Sequence, residues 1–194
     1  MQNFEFKTTT IADLILVIPP HVSDKRGYFT KVFEKAVFKE HGIEFLVWEE
    51  LLTCSQKDVL RGLHFQRSNC QAKLVQVLCG KAFDVVVDLR KGSPTFGKWE
   101  SFELSGENQK ILYVPKGLAH GFLSLEENTV FKYLCGDGYV PEMDGGICWN
   151  DPQLAIKWPL DCIDRLIVSD RDKNLPMLAD FLENYGPLDV EANT

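Results

Sequence analysis

The chain has 194 residues, 45% hydrophobic and 25% charged, with 14 glycines that follow no period; this excludes a disordered or collagen-like chain and predicts one globular domain. Its net charge of -7, from 21 Lys+Arg against 28 Asp+Glu, gives no general attraction to nucleic acid or membrane surfaces. No apolar run reaches the roughly 18 residues of a membrane span, and MQNFEFKTTT lacks the basic segment and apolar stretch of a signal peptide, so a cytoplasmic protein is expected.

Along the chain, Leu14 to Ile18 (LILVI) reads as a strand stopped by Pro19-Pro20. Lys35 to His41 (KAVFKEH) reads as a short helix with Gly42 as its C-cap. From Val59 to Trp149, short apolar runs are broken roughly every 8 to 12 residues by Gly, Pro, Asn or Asp. The strands expected there are Lys73–Cys79, Ala82–Leu89, Trp99–Leu104, Lys110–Val114, Gly121–Leu125 and Thr129–Cys135. Such runs at regular spacing predict an all-β sandwich or barrel. Leu175 to Asn184 (LPMLADFLEN) returns to helical spacing before Gly186-Pro187, and Asp189 to Thr194 reads as a frayed end.

The six cysteines, at 54, 70, 79, 135, 148 and 162, form no CxxC pair and no zinc spacing, and are expected to behave as small hydrophobes. Of the four histidines, His21 and His41 sit in polar or turn contexts and read as solvated or locally bonded side chains. His64 and His120 stand among glycines and apolar residues, where an imidazole is costly unless bonded or used. Each alone reads as a structural residue, but together in an all-β chain they suggest a shared pocket. A jelly roll of the cupin type is the natural comparison, because its metal sites use an HxH pair and a later PxGxxH. Here Pro115, Gly117 and His120 match the second motif, whereas Gln66 stands where the first requires histidine. No metal is therefore expected.

A longer resemblance runs from about residue 4 to 178. Its motifs are Arg26-Gly27-Tyr28-Phe29, VLRGLHFQ at 59–66, QAKLVQV at 71–77, DVVVDLRKGSPTFGKW at 84–99, LYVPKGLAHGFL at 112–123, KYLCGDGYVPE at 132–142 and GGICWNDP at 145–152. Seven ordered motifs resemble the dTDP-4-dehydrorhamnose 3,5-epimerase family. The resemblance implies a double-stranded β-helix, a cupin-like jelly roll with short flanking helices. It implies a single domain over 1–194, with a core at about 45–160 and a helical segment at about 174–185. It further implies a homodimer that epimerises a nucleotide-diphosphate-linked 4-keto-6-deoxy sugar in deoxysugar biosynthesis, without metal or organic cofactor.

By motif, the family's base falls on His64, its acid on Tyr133 and the lysine that steadies the enolate on Lys73. The carboxylate behind the base falls on Asp172, with Asp170 as the alternative register. On the substrate side stand Arg26, Tyr28, Lys31, Glu49, Arg61, Gln66, His120 and Tyr139, with Arg26 and Arg61 matched to the phosphates and the Arg26 segment expected to reach the neighbouring subunit's pocket. The chemistry suits these types: a ketone acidifies the neighbouring C–H bonds, histidine titrates near neutrality, and a cation stabilises developing charge on oxygen.

The sequence departs from the family at its handle. The family's RGFF is followed two positions later by Glu, where this chain has Lys31. A family Gln-Asp-Asn run is replaced by Glu49, Glu50 and Leu51. A lysine only donates hydrogen bonds, which would suit a base with acceptors such as cytosine; the other reading is that Lys31 forms a surface ion pair and the base is held elsewhere. A CDP-linked sugar with C5-only inversion, and a ketoisomerase on the same barrel, are the alternatives. A non-catalytic sugar-binding cupin and a metal-dependent oxygenase fit the residues less well.

Overall fold

A computed structural model of the chain describes residues 3–190, and only the backbone of Cys162. In chain order the strands are β1 (Glu5–Thr8), β2 (Ile15–Ile18), β3 (His21–Asp24), β4 (Gly27–Thr30), β5 (Glu49–Ser55), β6 (Val59–Gln66), β7 (Lys73–Cys79), β8 (Lys81–Asp88), β9 (Trp99–Ser105), β10 (Ile111–Val114), β11 (Leu118–Ser124), β12 (Thr129–Cys135), β13 (Asp144–Gly146) and β14 (Ile167–Val168). The helices are α1 (Lys35–Glu40), α2 (Asp170–Lys173) and α3 (Leu178–Tyr185). One sheet runs β1-β2-β10-β7-β12-β5 and the other β13-β6-β11-β8-β9, with β14 parallel to β6; β3 and β4 form a separate hairpin. This is the jelly roll expected from the sequence.

The two sheets pack face to face through Val75, Val77, Leu112 and Phe131 of the first and Ala82, Val86, Leu104 and Phe122 of the second. The outer face of the second sheet (Leu63, Phe65, Val85, Val87) lies under α3 and the segment that carries Trp158. The outer face of the first (Val17, Leu74, Ile111) is covered by Phe38 of α1 and by Ile43. Because both faces of each sheet are buried, the central strands read as near-continuous apolar runs. That is why AFDVVVDL is legible as a strand although it barely alternates. Within this pattern inward positions alternate regularly: Lys73, Val75 and Val77 on β7, Phe131, Tyr133 and Cys135 on β12.

Strand boundaries agree with the sequence reading within one to three residues. Helix α1 is closed by Gly42, two residues past its last turn, whose φ of +79° allows Ile43 N–H to bond back to Phe38 O at 2.9 Å, a glycine-capped end. The C-terminal helix corrects the expected start at 174 or 175. Leu175 precedes Pro176, which disfavours helical backbone there, and Pro176 O instead accepts Cys148 N–H at 2.8 Å. Helix α3 therefore begins at Leu178, whose N–H is capped by the buried Asp151 carboxylate at 2.7 Å. The tail is less frayed than expected as far as it is described: Leu188 N–H bonds Leu89 O at 2.8 Å, and Asp189 pairs with Lys91. The remainder of that tail, 191–194, lies outside the described residues.

Candidate active site

Strand β6 carries the residue that organises the site. Against β11 its register shifts: His64 faces His120, but Arg61 already faces Phe122. One extra residue on β6 bulges the strand at Gly62-Leu63, as such insertions do. Gly62 has φ +125°, and a Cβ there would lie 2.6 Å from Gly121 Cα, so the crossing requires glycine on both strands. The bulge frees Gly62 N–H to donate to Asp172 Oδ2 at 3.2 Å. The other carboxylate oxygen of Asp172 lies 2.7 Å from His64 Nε2. Asp172 is itself fixed by the one-turn helix α2, where Ser169 Oγ accepts its N–H.

Both ends of the carboxylate are thus held. Burial raises the Asp172 pKa, but the His64 hydrogen bond and charge, Gly62 N–H and Arg171 outweigh it and keep the group below the usual carboxylate range. The alternative register is settled by exposure: the Asp170 side chain is 95% exposed and paired with Lys173, while that of Asp172 is 4% exposed. Among the described residues, His64 Nδ1 has no hydrogen-bond partner, and the His64 ring lines a cavity of about 330 Å³ between the sheets.

The opposite wall of this cavity comes from the first sheet. Tyr133 on β12 pairs in register with Val75 of β7 and Leu51 of β5. Lys73 pairs with Cys135, and Lys73, Cys135, Tyr133, Thr53 and Leu51 all line the cavity. Burial, then the Asp84 carboxylate, pushes the Tyr133 phenol well above its ordinary value, so it stays protonated at neutral pH. Burial pulls the Lys73 ammonium below the usual lysine range, opposed by Cys135, Asp144 and Asp84.

A second imidazole–carboxylate pair backs the first. His120 Nε2 lies 2.7 Å from Asp84 Oδ2, both fully buried, and the His120 ring meets Tyr133 edge-on at 6.0 Å. Asp84 was not anticipated, although its signal was present as an acid among the apolar residues of AFDVVVDL. Both cavity histidines thus commit Nε2 to a carboxylate. Among the described residues no group of three or more His, Cys, Asp or Glu side chains is placed to hold a metal ion.

The substrate-side residues divide. Arg61, whose Nε donates to Ser55 Oγ at 3.1 Å, lines the cavity with Gln66, His120 and Tyr139. Arg171, adjacent to Asp172 and unanticipated, lines it too and pairs with Asp144 at 2.5 Å. Glu49 touches the site indirectly, its Oε1 accepting Tyr139 N–H at 3.3 Å. Arg26, Tyr28 and Lys31 do not line this cavity of their own chain. Arg26 pairs with Asp24 on the exposed β3–β4 hairpin, and Tyr28 and Phe29 there are 60% and 64% exposed. Lys31 is paired with Glu34 beside a different groove. The expectation that Lys31 faces a nucleotide base is therefore not met within one chain.

The comparisons with known proteins agree with the fold and the ordered motifs. A family model described as dTDP-4-dehydrorhamnose 3,5-epimerase matches residues 8–180. A dTDP-4-dehydrorhamnose 3,5-epimerase of Methanothermobacter thermautotrophicus is 45% identical over 90% of this chain and 94% of its own. The crystal structure of dTDP-6-deoxy-D-glucose-3,5-epimerase from Legionella pneumophila Philadelphia 1, in complex with dTDP-4-keto-L-rhamnose, superposes with a TM-score of 0.90 at 40% identity, over 96% of this chain and 98% of that one. A 3'-monoepimerase from Streptomyces bikiniensis, in complex with dTDP-quinovose, superposes with a TM-score of 0.86 at 35% identity, over 95% and 92% of the two chains. With the fold, the ordered motifs and these matches in accord, the chain belongs to the dTDP-4-dehydrorhamnose 3,5-epimerase family.

Proposed function

We propose that the protein epimerises a dTDP-linked 4-keto-6-deoxy sugar at C3 and C5 through enolate intermediates. The observation that carries this reading is the division of the cavity walls. An imidazole backed by a carboxylate stands on one sheet, and a buried phenol beside an ammonium stands on the other. A sugar ring between them meets a base on one face and a proton donor on the opposite face, which inversion requires.

His64 Nδ1 takes the proton from the carbon beside the ketone, and the C–H electron pair flows into the ring to leave an enolate oxygen at C4. Asp172 accepts from the imidazolium N–H and stabilises its charge. Lys73 stabilises the enolate oxygen, at a site where low polarity strengthens the interaction. Tyr133 then delivers its proton to carbon from the other face. The imidazolium returns its proton to solvent and the tyrosinate regains one, which restores the site.

Arg61, which lines the cavity, meets the diphosphate in this reading, since a guanidinium fork suits two phosphate oxygens. The Arg26–Tyr28 hairpin supports a homodimer in which each copy's hairpin closes the neighbour's cavity, since its aromatic side chains are exposed in one chain. The Glu34 ion pair weighs against a CDP handle, because it gives the Lys31 ammonium a local partner. A cytoplasmic enzyme is part of this reading, in keeping with the five described cysteines being free.

Two variants test the assignment of faces. In deuterated water, His64→Ala is expected to lose both solvent exchange and inversion. Tyr133→Phe should still exchange label into the sugar while failing to invert it. If Tyr133→Phe inverts at the wild-type rate, the phenol is not the donor and the reading fails.

A further inference from the structure

Gln66 is only 4% exposed, and a buried primary amide is costly unless its hydrogen-bonding groups are paired. In this structure they are. Nε2 donates to Asn69 O at 2.7 Å and to Gly138 O at 3.3 Å, and Oε1 accepts Val140 N–H at 2.6 Å. Its neighbours hold the same loop: Asn69 Nδ2 donates to Gly138 O at 3.2 Å and Gln71 Nε2 to Asp137 O at 2.7 Å. From β5, Glu49 Oε1 accepts Tyr139 N–H. The segment 137–140 belongs to no strand or helix, and these contacts fasten its backbone through side chains. Tyr139, at its centre, is 51% exposed and still lines the cavity.

We infer that Gln66, seconded by Asn69, Gln71 and Glu49, is a positioning residue that holds the 137–140 loop so that Tyr139 walls the cavity before substrate arrives. The inference rests on the function proposed above only for the identity of the ligand. A loop without a ladder samples many conformations, and fixing it in advance lowers the entropy lost on binding. Gln66 itself lines the cavity, but its amide groups are spent on Asn69 and the loop, so it acts on substrate through Tyr139. Glu49 does the same from β5, so two positions matched by motif to substrate contacts serve instead as supports.

The experiment uses Gln66→Leu, Tyr139→Ala and the double variant, with Asn69→Ala as a milder probe that removes one of the loop contacts. Amide hydrogen exchange reads the support without reference to activity: Val140 N–H is expected to lose protection in Gln66→Leu, and Asn69→Ala to loosen the segment less. Steady-state kinetics on the dTDP-linked 4-keto sugar read the consequence. Gln66→Leu should raise KM on the order of tenfold with a smaller change in kcat, and should add nothing once Tyr139 is alanine. Unchanged protection at Val140, or an equal Gln66→Leu penalty with and without Tyr139, would overturn the inference. A wild-type protein that exchanges no proton with the sugar would instead defeat the proposed function, and exchange at Val140 would still decide the support. If Gln66→Leu fails to fold, Asn69→Ala decides by the same two readouts.

Discussion

His64 and Asp172 lie 108 residues apart in the chain yet meet at 2.7 Å, and the protonation of this pair governs the proposed reaction. Replacing Asp172 by Asn removes the negative charge that stabilises the imidazolium and puts an amide that can donate in place of an acceptor-only carboxylate. The kcat of Asp172→Asn should fall by about 10²- to 10⁴-fold, the usual worth of general-base catalysis, in a progress-curve assay. Stability should follow pH in a definite sense. The folded-state pKa of Asp172 is depressed, so the pair's contribution is complete above the unfolded carboxylate value and is lost as pH falls through the folded one. In urea titrations, the stability gap between wild type and Asp172→Asn should hold at neutral pH and narrow as pH falls through and below the ordinary carboxylate range; a constant gap would contradict the assignment. His64, Lys73, Tyr133 and Arg61 were legible because each stands inside an ordered motif. The choice between Asp170 and Asp172 was not, because two acids on one helical turn point in different directions and only packing decides which is buried. Asp84 was equally hidden, since its imidazole partner comes from a strand 36 residues away in the chain.

At the scale of elements, the crossing of β6 and β11 sets the site's geometry. A Cβ on Gly121 would lie 2.6 Å from Arg61 O, and both contacts are backbone, which has little room to give. Gly121→Ala is therefore expected to destabilise the protein by about 1–3 kcal/mol, the usual cost of overpacking. Denaturant unfolding measures this, and wild-type stability would mean that the bulge is not held by this contact. Strands in the middle of the chain were readable because turn residues punctuate apolar runs at even spacing. Strand β5 was not, because EELLTCS neither alternates nor ends on a turn signal; its pairing with β12 makes it a strand. Helix α2 escaped for a different reason: four residues show no period, and its start is defined by the Ser169 cap.

For the whole molecule, the facing of two sheets is what brings the proposed base and acid together. β6 supplies His64 from one sheet, β7 and β12 supply Lys73 and Tyr133 from the other, and the cavity is the gap between them. The architecture was legible from strand spacing and from the motifs. For Lys31 the sequence left a surface ion pair and a nucleotide contact both open, and within one chain the pair with Glu34 is the one formed. The exposed hairpin leads to a prediction of assembly. Sedimentation should give twice the 22.1 kDa chain mass, and Phe29→Ser together with Tyr28→Ser should weaken that dimer and raise KM for the sugar nucleotide. A wild-type monomer with full activity would contradict the shared cavity. The central claim, enolisation between two walls, is tested most directly by solvent deuterium incorporation, followed by NMR, with dTDP- and CDP-linked 4-keto-6-deoxyglucose offered separately. The account predicts deuterium at C3 and C5 of the dTDP sugar, absent in His64→Ala, and slower labelling of the CDP sugar; no label from the wild-type protein at either carbon would contradict it.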